Sequence, residues 1–295
     1  MREQTSNESD SSGLKSSTVF KDLSNLSELI NYLSNSEARL DNSKFVYHYT
    51  GINTALNILS SRKWHLGNAK YSNDLLEYEN GDLKLWPHLF LGSFMAESSE
   101  SIGMWSMYSQ PWEQGVKIAI SSLALRHWVQ KISVLHEVDL DSKALSGRTV
   151  PRGDAEISLA SVVYCNTDSR NDSYSVEKIT WSNQSNTNFF DAAHIKQLTG
   201  YVKDDAWSYE KEIRIRVKLS DDCDFKRLAV DIPDEVFDSM VIYKSPKFSG
   251  DIDQLLVSSG CVSVRTKDSI FTGKLSLKSL CEECSYKSKL QISEG

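Results

Sequence analysis

A chain of 295 residues with a formal charge of −7, 40% hydrophobic and 25% charged residues, has a globular composition and enough length to bury a substantial core. That balance excludes collagen-like, coiled-coil and wholly disordered classes, and its sign argues against a surface built throughout for nucleic acid, whose grip depends on Lys and Arg at phosphates. No run reaches the roughly 18 apolar residues of a membrane span and the N-terminus carries no apolar signal core, so a cytoplasmic protein without membrane contact is expected.

Residues 1–17 are rich in Ser, Asn, Asp and Glu and read as a disordered tail, because ordering them costs entropy that no burial offsets. Phe20, Leu23, Leu26, Ile30 and Leu33 then recur at helical spacing. From Phe45 the pattern predicts a strand FVYHYT, a helix carrying Ala55, Leu56, Ile58 and Leu59, and a strand WHLGN. A helix over about 74–86 follows, then a buried run LFLGSFMA (89–96), a short helix IGMWSMY (102–108) and a strand VKIAIS (116–121). The polar stretch 139–158, with Gly147, Pro151 and Gly153, reads as a long surface loop. Beyond it are expected a strand LASVVYC (159–165), a helix over about 186–198 and a strand YEKEIRIRVKL (209–219), with shorter elements to about 280.

Strands and helices mix without the regular βα rhythm of a doubly wound fold, so the expected class is α+β, with mixed, largely antiparallel sheets and flanking helices. The expected organisation is one domain over 18–285 between the N-terminal tail and a flexible C-terminal tail, 286–295. The five cysteines, Cys165, Cys223, Cys261, Cys281 and Cys284, are too scattered for a disulfide framework, and the CxxC at Cys281 and Cys284 reads as chance spacing rather than a zinc site. There is no phosphate-binding GxxxxGK[ST], no GxSxG elbow and no HExxH, which removes the common P-loop, α/β-hydrolase and zincin chemistries.

The strand over 209–219 is the most informative stretch. Alternation would place Glu210, Glu212, Arg214, Arg216 and Lys218 on one face, with Tyr209, Ile213, Ile215, Val217 and Leu219 on the other. Two readings of the charged face stay open: a solvated outer surface, or a cleft-lining strand with one carboxylate as catalyst and its neighbour orienting a substrate. His48 and Thr50 share a parity at the end of the first apolar strand, where sites are commonly built. Trp105 and Tyr108 share a helix face suited to the core or to an aromatic pocket. Asn73, Asp74 and Glu77 read as a helix start, with a metal-dependent hydrolase using Asp74, Glu77 and the late carboxylates as a third possibility.

Together, YHYT (47–50), YSNDLLE (71–77), MWSMY (104–108) with Gly115, and WSYEKEIRI (207–215) resemble the bacterial family catalogued as domain of unknown function 2971, over about residues 44–243. That family in turn looks like the ADP-ribosyltransferase superfamily, whose first strand often carries His followed two residues later by Ser or Thr, and whose late strand carries the catalytic Glu. His48 and Thr50 match the first element; Glu210 and Glu212 are similar to the Glu-x-Glu of arginine-directed members. The resemblance implies NAD as substrate. His48 would bind its ribose, the Tyr49 main chain its nicotinamide amide, and Tyr71 or Trp105 would stack on the nicotinamide. Glu212 would stabilise an oxocarbenium-like transition state with Glu210 beside it, without a metal. Tyr49 stands where many superfamily members have Gly, and no second-strand Ser-Thr-Ser element is visible. The implied roles are a toxin or antiviral defence effector with a protein or nucleic-acid acceptor and a regulatory partner protein. The alternative is a non-catalytic nucleotide-sensing or protein-interaction module.

Overall fold

The computed structural model describes residues 44–72, 84–96, 99–141, 144–168, 173–176, 199–220 and 224–274. In chain order the first elements are β1 (Phe45–Gly51), α1 (Ile52–Ser61), β2 (Lys63–Asn68), β3 (Leu89–Met95), α2 (Ile102–Tyr108), β4 (Gly115–Ser121) and α3 (Ser122–Lys131). Next come β5 (Val134–Val138), β6 (Leu145–Pro151), β7 (Ala155–Ser161), β8 (Val163–Asp168), β9 (Ser173–Val176) and β10 (Val202–Asp204). The last are β11 (Glu212–Leu219), β12 (Arg227–Asp231), α4 (Asp234–Ser239), β13 (Val241–Lys244), α5 (Ile252–Ser258) and β14 (Arg265–Lys267). Most pairings are antiparallel, so the class is α+β; among the described pairs β10/β8 and β13/β14 run parallel.

The described residues fall into two compact units, each drawn from separate stretches of chain. The first takes its residues from Trp64–Ala96 and Arg126–Asp231, the second from Ser43–Lys63, Glu97–Leu125 and Ile232–Gly295. In the first unit β11 is central, paired along its length with β3 on one side and β7 on the other. β3 pairs in turn with β2, and β12, β5 and β6 continue the sheet. A separate sheet has the order β10-β8-β9. The core of the first unit is aromatic: Trp64 of β2 stacks on Phe94 of β3 with centroids 4.9 Å apart and meets Trp128 edge to face. The Trp128 indole N–H, buried with the ring, donates to the Asp231 carbonyl at 2.7 Å.

In the second unit the order is β14-β13-β4-β1. β1 and β4 pair without interruption from Phe45 opposite Ser121 to Gly51 opposite Gly115. The helix after β1 forms because Ile52, Ala55, Ile58 and Leu59 fall on one stripe, and all four are buried. It stops at Arg62, whose left-handed backbone (φ 51°) turns the chain into β2. The Ser101 hydroxyl caps α2 by accepting the Met104 N–H, one of the donors that a helix start leaves unpaired.

Several sequence expectations need correction. The supposed surface loop over 139–158 contains β6 and much of β7. β6 pairs with β5 through its main chain while most of its side chains stay exposed at the end of the sheet, so it carries no apolar alternation to announce it. In β7, Ala155, Ile157 and Leu159 stand opposite Leu219, Val217 and Ile215 of β11 and continue its apolar row. The expected strand over 159–165 is divided at Val162 between β7 and β8. The late strand begins at Glu212 instead of 209. Residues Asp205–Glu210 form a 3-10 helix capped by the Asp204 side chain on the Ala206 N–H, and Lys211 is left-handed (φ 45°). The proposed tails 1–17 and 286–295, the stripe over 20–33, the helix over 186–198, residues 74–83 of the earlier helix, and Cys223, Cys281 and Cys284 lie outside the described residues.

Gly51 and Gly115 are register partners with different surroundings. A Cβ on Gly115 would lie 2.5 Å from the Ser109 carbonyl oxygen and 2.8 Å from its Cβ, whereas one on Gly51 meets nothing within 4 Å. Gly115→Ala is therefore expected to destabilise the protein by about 1–3 kcal/mol through overpacking, and Gly51→Ala to change stability by less than about 0.5 kcal/mol. Urea unfolding of both variants followed by tryptophan fluorescence checks the pair, and equal losses would contradict it.

Candidate functional site

The predicted site residues are divided between the units. Tyr71, Glu210 and Glu212 belong to the first; His48, Tyr49, Thr50 and Trp105 belong to the second. Asn73, Asp74 and Glu77 lie outside the described residues.

In the second unit strand alternation separates the β1 residues. His48 and Thr50 share one face with Val46, and Tyr47 and Tyr49 take the face of their cross-strand neighbours Ala119 and Lys117. His48 is half-buried and Thr50 buried. The Tyr49 ring meets Trp105 edge to face at 4.8 Å, and its hydroxyl accepts the Ser101 N–H at 3.3 Å. Burial pushes the Tyr49 phenol well above its ordinary pKa, with the main-chain bond from Ser101 opposing that shift and the Glu100 charge adding to it. Trp105 has no accessible surface and donates its indole N–H to Glu100 at 3.2 Å. For it to stack on a nicotinamide, the ring would have to be uncovered.

Around Glu100 lies a buried constellation that the sequence reading did not single out. Lys117 Nζ stands 3.2 Å from the Glu100 carboxylate, and the Ser269 hydroxyl donates to the same carboxylate. The ammonium also lies 4.4 Å from the ring centroid of Tyr243, 4.6 Å from Tyr47 and 5.7 Å from Tyr49. These aromatic faces supply cation–π attraction to an ammonium that is buried. Burial lowers the Lys117 pKa, against the opposing charge and hydrogen bond of Glu100. The signal for this cluster was the lone lysine inside VKIAIS, an otherwise apolar strand.

In the first unit the charged face of β11 is buried. Glu210, Glu212, Arg214 and Arg216 are 3%, 6%, 2% and 4% exposed, so the solvated-surface reading is overturned. Residues 199–203 cover the face. Arg214 donates to the Gly200 carbonyl at 3.2 Å, Arg216 donates to that of Thr199 and lies 4.5 Å over the Tyr201 ring, and Lys203 reaches the carboxylates. The close approach needs a glycine: Gly200 has φ +83°, and a Cβ there would meet Leu89 Cδ2 at 2.8 Å and Arg216 Nε at 3.1 Å.

The carboxylates converge despite Glu210 lying off the strand. Lys203 Nζ is 2.7 Å from Glu210 and 3.7 Å from Glu212. Arg214 grips Glu212 bidentately, Nε to Oε1 at 2.7 Å and Nη2 to Oε2 at 3.0 Å. For Glu212 the largest influence is burial, which favours the neutral acid. The charge and hydrogen bond of Arg214, the Lys203 charge and a Ser93 hydrogen bond together outweigh it and hold the pKa below the usual carboxylate range. The Glu212 N–H donates to the Tyr164 hydroxyl at 2.8 Å. Burial, chiefly, and then the Glu212 charge push the Tyr164 phenol well above its ordinary pKa. Tyr164 is the site residue missed here, and the sequence offered no local pattern tying it or Lys203 to Glu212. Tyr71 ends a short 3-10 helix and is 65% exposed.

Among the described residues no group of three or more His, Cys, Asp or Glu is arranged to hold a metal ion. No helix among them is long and apolar enough to cross a membrane.

Fold and site thus define an α+β protein with a buried, charge-paired carboxylate couple in one unit and a buried Lys–Glu pair in the other. Residues 104–215 match the family described as "Protein of unknown function (DUF2971)". That stretch contains MWSMY, Gly115 and WSYEKEIRI, so these carry the supported part of the family resemblance, while YHYT and YSNDLLE fall outside it. No curated protein matches the chain.

Because Glu212 has a lowered pKa, its contribution to stability is present above about pH 4.3, the ordinary glutamate value, and is lost as pH falls through the folded-state value. Wild-type unfolding free energy should therefore decline on acidification below about pH 4.3, and Glu212→Gln should weaken that decline. At pH 7 the variant should be about 3–5 kcal/mol less stable, because Arg214 loses its buried counter-charge. Urea titrations at pH 7, 5, 4 and 3 test both statements; an unchanged acid slope in the variant would remove Glu212 from this role.

Proposed function

We propose that the chain is an NAD-consuming, ADP-ribosyltransferase-like enzyme acting as a toxin or antiviral defence effector on a protein or nucleic-acid acceptor. The observation that carries the reading is the convergence of Glu210 and Glu212 on Lys203, at 2.7 and 3.7 Å, with Glu212 held ionised. In such a reaction the bond between the ribose anomeric carbon and the nicotinamide nitrogen breaks, and its electron pair leaves with nicotinamide. Positive charge grows on the ribose until the acceptor nucleophile, or water, forms the new bond and gives up its proton. A prepositioned carboxylate stabilises that charge more in the transition state than in the ground state. His48, the Tyr49 main chain and Thr50 are assigned to NAD, and Tyr71 is preferred over the enclosed Trp105 for stacking. Turnover on this reading needs residues 199–203 to uncover the carboxylates.

The second reading, a non-catalytic nucleotide-sensing or protein-interaction module, is favoured by one feature. Both Glu212 oxygens are already occupied by Arg214, so the carboxylate is a neutralised structural partner as it stands.

Nicotinamide release from NAD, normalised to the folded fraction of each preparation, separates the two. The catalytic reading expects Glu212→Gln to lose about a hundred- to thousandfold in turnover. It also expects Glu210→Gln to impair acceptor labelling more than NAD hydrolysis, and His48→Ala to abolish the rise in melting temperature that NAD produces by binding the native state. Release by Glu212→Gln within about threefold of wild type, a barrier change of roughly 0.7 kcal/mol, would remove the catalytic assignment. A wild-type protein stabilised by NAD that releases no nicotinamide would establish the binding module.

A further inference from the structure

Beyond β14 the second unit carries a segment held to it through polar contacts. Residues 268–274 form no helix or strand and turn back on themselves, the Thr272 N–H donating to the Ser269 carbonyl at 3.1 Å and the Lys274 N–H to that of Phe271 at 2.9 Å. Ser269 is buried, Phe271 is half-buried and the others are exposed, Ile270 at 57%. Among the described residues two polar side-chain ties join the segment to the rest of the unit. The Ser269 hydroxyl donates to Glu100, and Asp268 meets Lys244 at 2.7 Å where both side chains reach solvent. A segment that buries so little apolar surface lies at the low end of local stability and can open while the rest of the fold stays closed.

What the segment latches onto is the buried Glu100 carboxylate. Its Oε2 takes the Ser269 hydroxyl and the Trp105 indole N–H, the latter at 3.2 Å, and its Oε1 has Lys117 Nζ at 3.2 Å. Lys117 and Trp105 are fixed on β4 and α2, so of these partners Ser269 is the one that can leave with its segment. Its departure removes a donor from a buried carboxylate, which costs free energy unless another donor takes its place. We propose that residues 268–274 are a strap, latched by Ser269 on Glu100, which gives way to a ligand whose carboxamide N–H takes over the Ser269 bond. The room for that group is the volume that Ser269 itself gives up. Only the ligand's identity rests on the NAD reading. On that reading the carboxamide is that of nicotinamide, the group assigned to the Tyr49 main chain, and the Tyr49 ring lies against Trp105. A carboxylate in place of the carboxamide would bring a second negative charge against Glu100 and no proton to donate, so the acid analogue is rejected.

The test has two readouts on the full chain. The first is solvent exchange of the Trp105 indole proton, followed by NMR with its signal assigned through Trp105→Phe. Ser269→Ala should speed this exchange at least about tenfold, and Asp268→Asn, at an exposed position, by about threefold, because each removes one tie of the strap. The indole proton of Trp128, buried in the other unit on the Asp231 carbonyl, should keep its rate in both variants. Unchanged Trp105 exchange in both variants overturns the strap, and so does an equal rise at Trp105 and Trp128, which marks loosening of the whole fold. The second readout is affinity for NAD and for nicotinic acid adenine dinucleotide, measured by thermal shift. Ser269→Ala should bind NAD at least about threefold more tightly than wild type, since the cost of opening is removed, whereas loss of a merely structural bond would not tighten binding. The acid dinucleotide should bind more weakly than NAD to both proteins. NAD affinity in Ser269→Ala equal to or below that of wild type, or equal affinities for the two dinucleotides, overturns the exchange of Ser269 for a carboxamide. Faster Trp105 exchange in proteins that NAD does not stabilise at all upholds the strap and removes the NAD reading.

Discussion

The bidentate pairing of Arg214 with Glu212 is the constraint around which the first unit is arranged. Neither side chain would tolerate burial alone, since an unpaired charge in the interior costs several kcal/mol and the pair returns this only with near-ideal geometry. The strand places the two residues on one face at alternate positions, Lys203 supplies a second cation, and the Gly200 carbonyl takes a guanidinium hydrogen that Glu212 leaves over. Three consequences follow. β11 is covered on its charged face as well as its apolar one; the covering segment must carry a glycine at 200; and Glu210, although outside the strand, is drawn to the same ammonium as Glu212.

The second unit solves a related problem with different materials. Lys117 is buried in the middle of β4, and one carboxylate with three tyrosine rings replaces its water. The Lys117 site has a single carboxylate partner, whereas on the β11 face Lys203 and Arg214 are paired with the buried Glu210 and Glu212. Ser269, far along the chain, closes this arrangement by donating to Glu100, which ties the segment after β14 to the residue before the Ser101 cap of α2.

How much of this was legible in the sequence varied with how local the cause was. The helix IGMWSMY and the strand VKIAIS stood out because period and flanking Ser and Gly agree within a few residues. β6 was not legible, since an end strand with exposed side chains is held by its main chain and leaves no apolar signature. The early start assigned to β11 followed from alternation alone; the Asp204 cap ahead of Ala206 was an available sign that a helical turn intervenes. Alternation did group Glu212, Arg214 and Arg216 correctly on one face, yet whether that face meets water depends on residues 199–203, which no pattern within the strand reports. Tyr164, joined to Glu212 across the fold, was hidden for the same reason.

Each unit is assembled from interrupted stretches of chain, and this bears on synthesis. As the polypeptide leaves the ribosome, β1 and β4 emerge and can pair, yet β13, the other neighbour of β4, lies beyond Ile232. Until that segment appears, β4 presents an open row of main-chain donors and acceptors, the kind of edge that recruits strands from other molecules. The first unit is likewise begun before the second is finished, because Trp64–Ala96 precedes Glu97–Leu125 in the chain. Neither unit is a contiguous piece that a nascent chain completes and sets aside, and β4 keeps an open edge until the segment beyond Ile232 has been made.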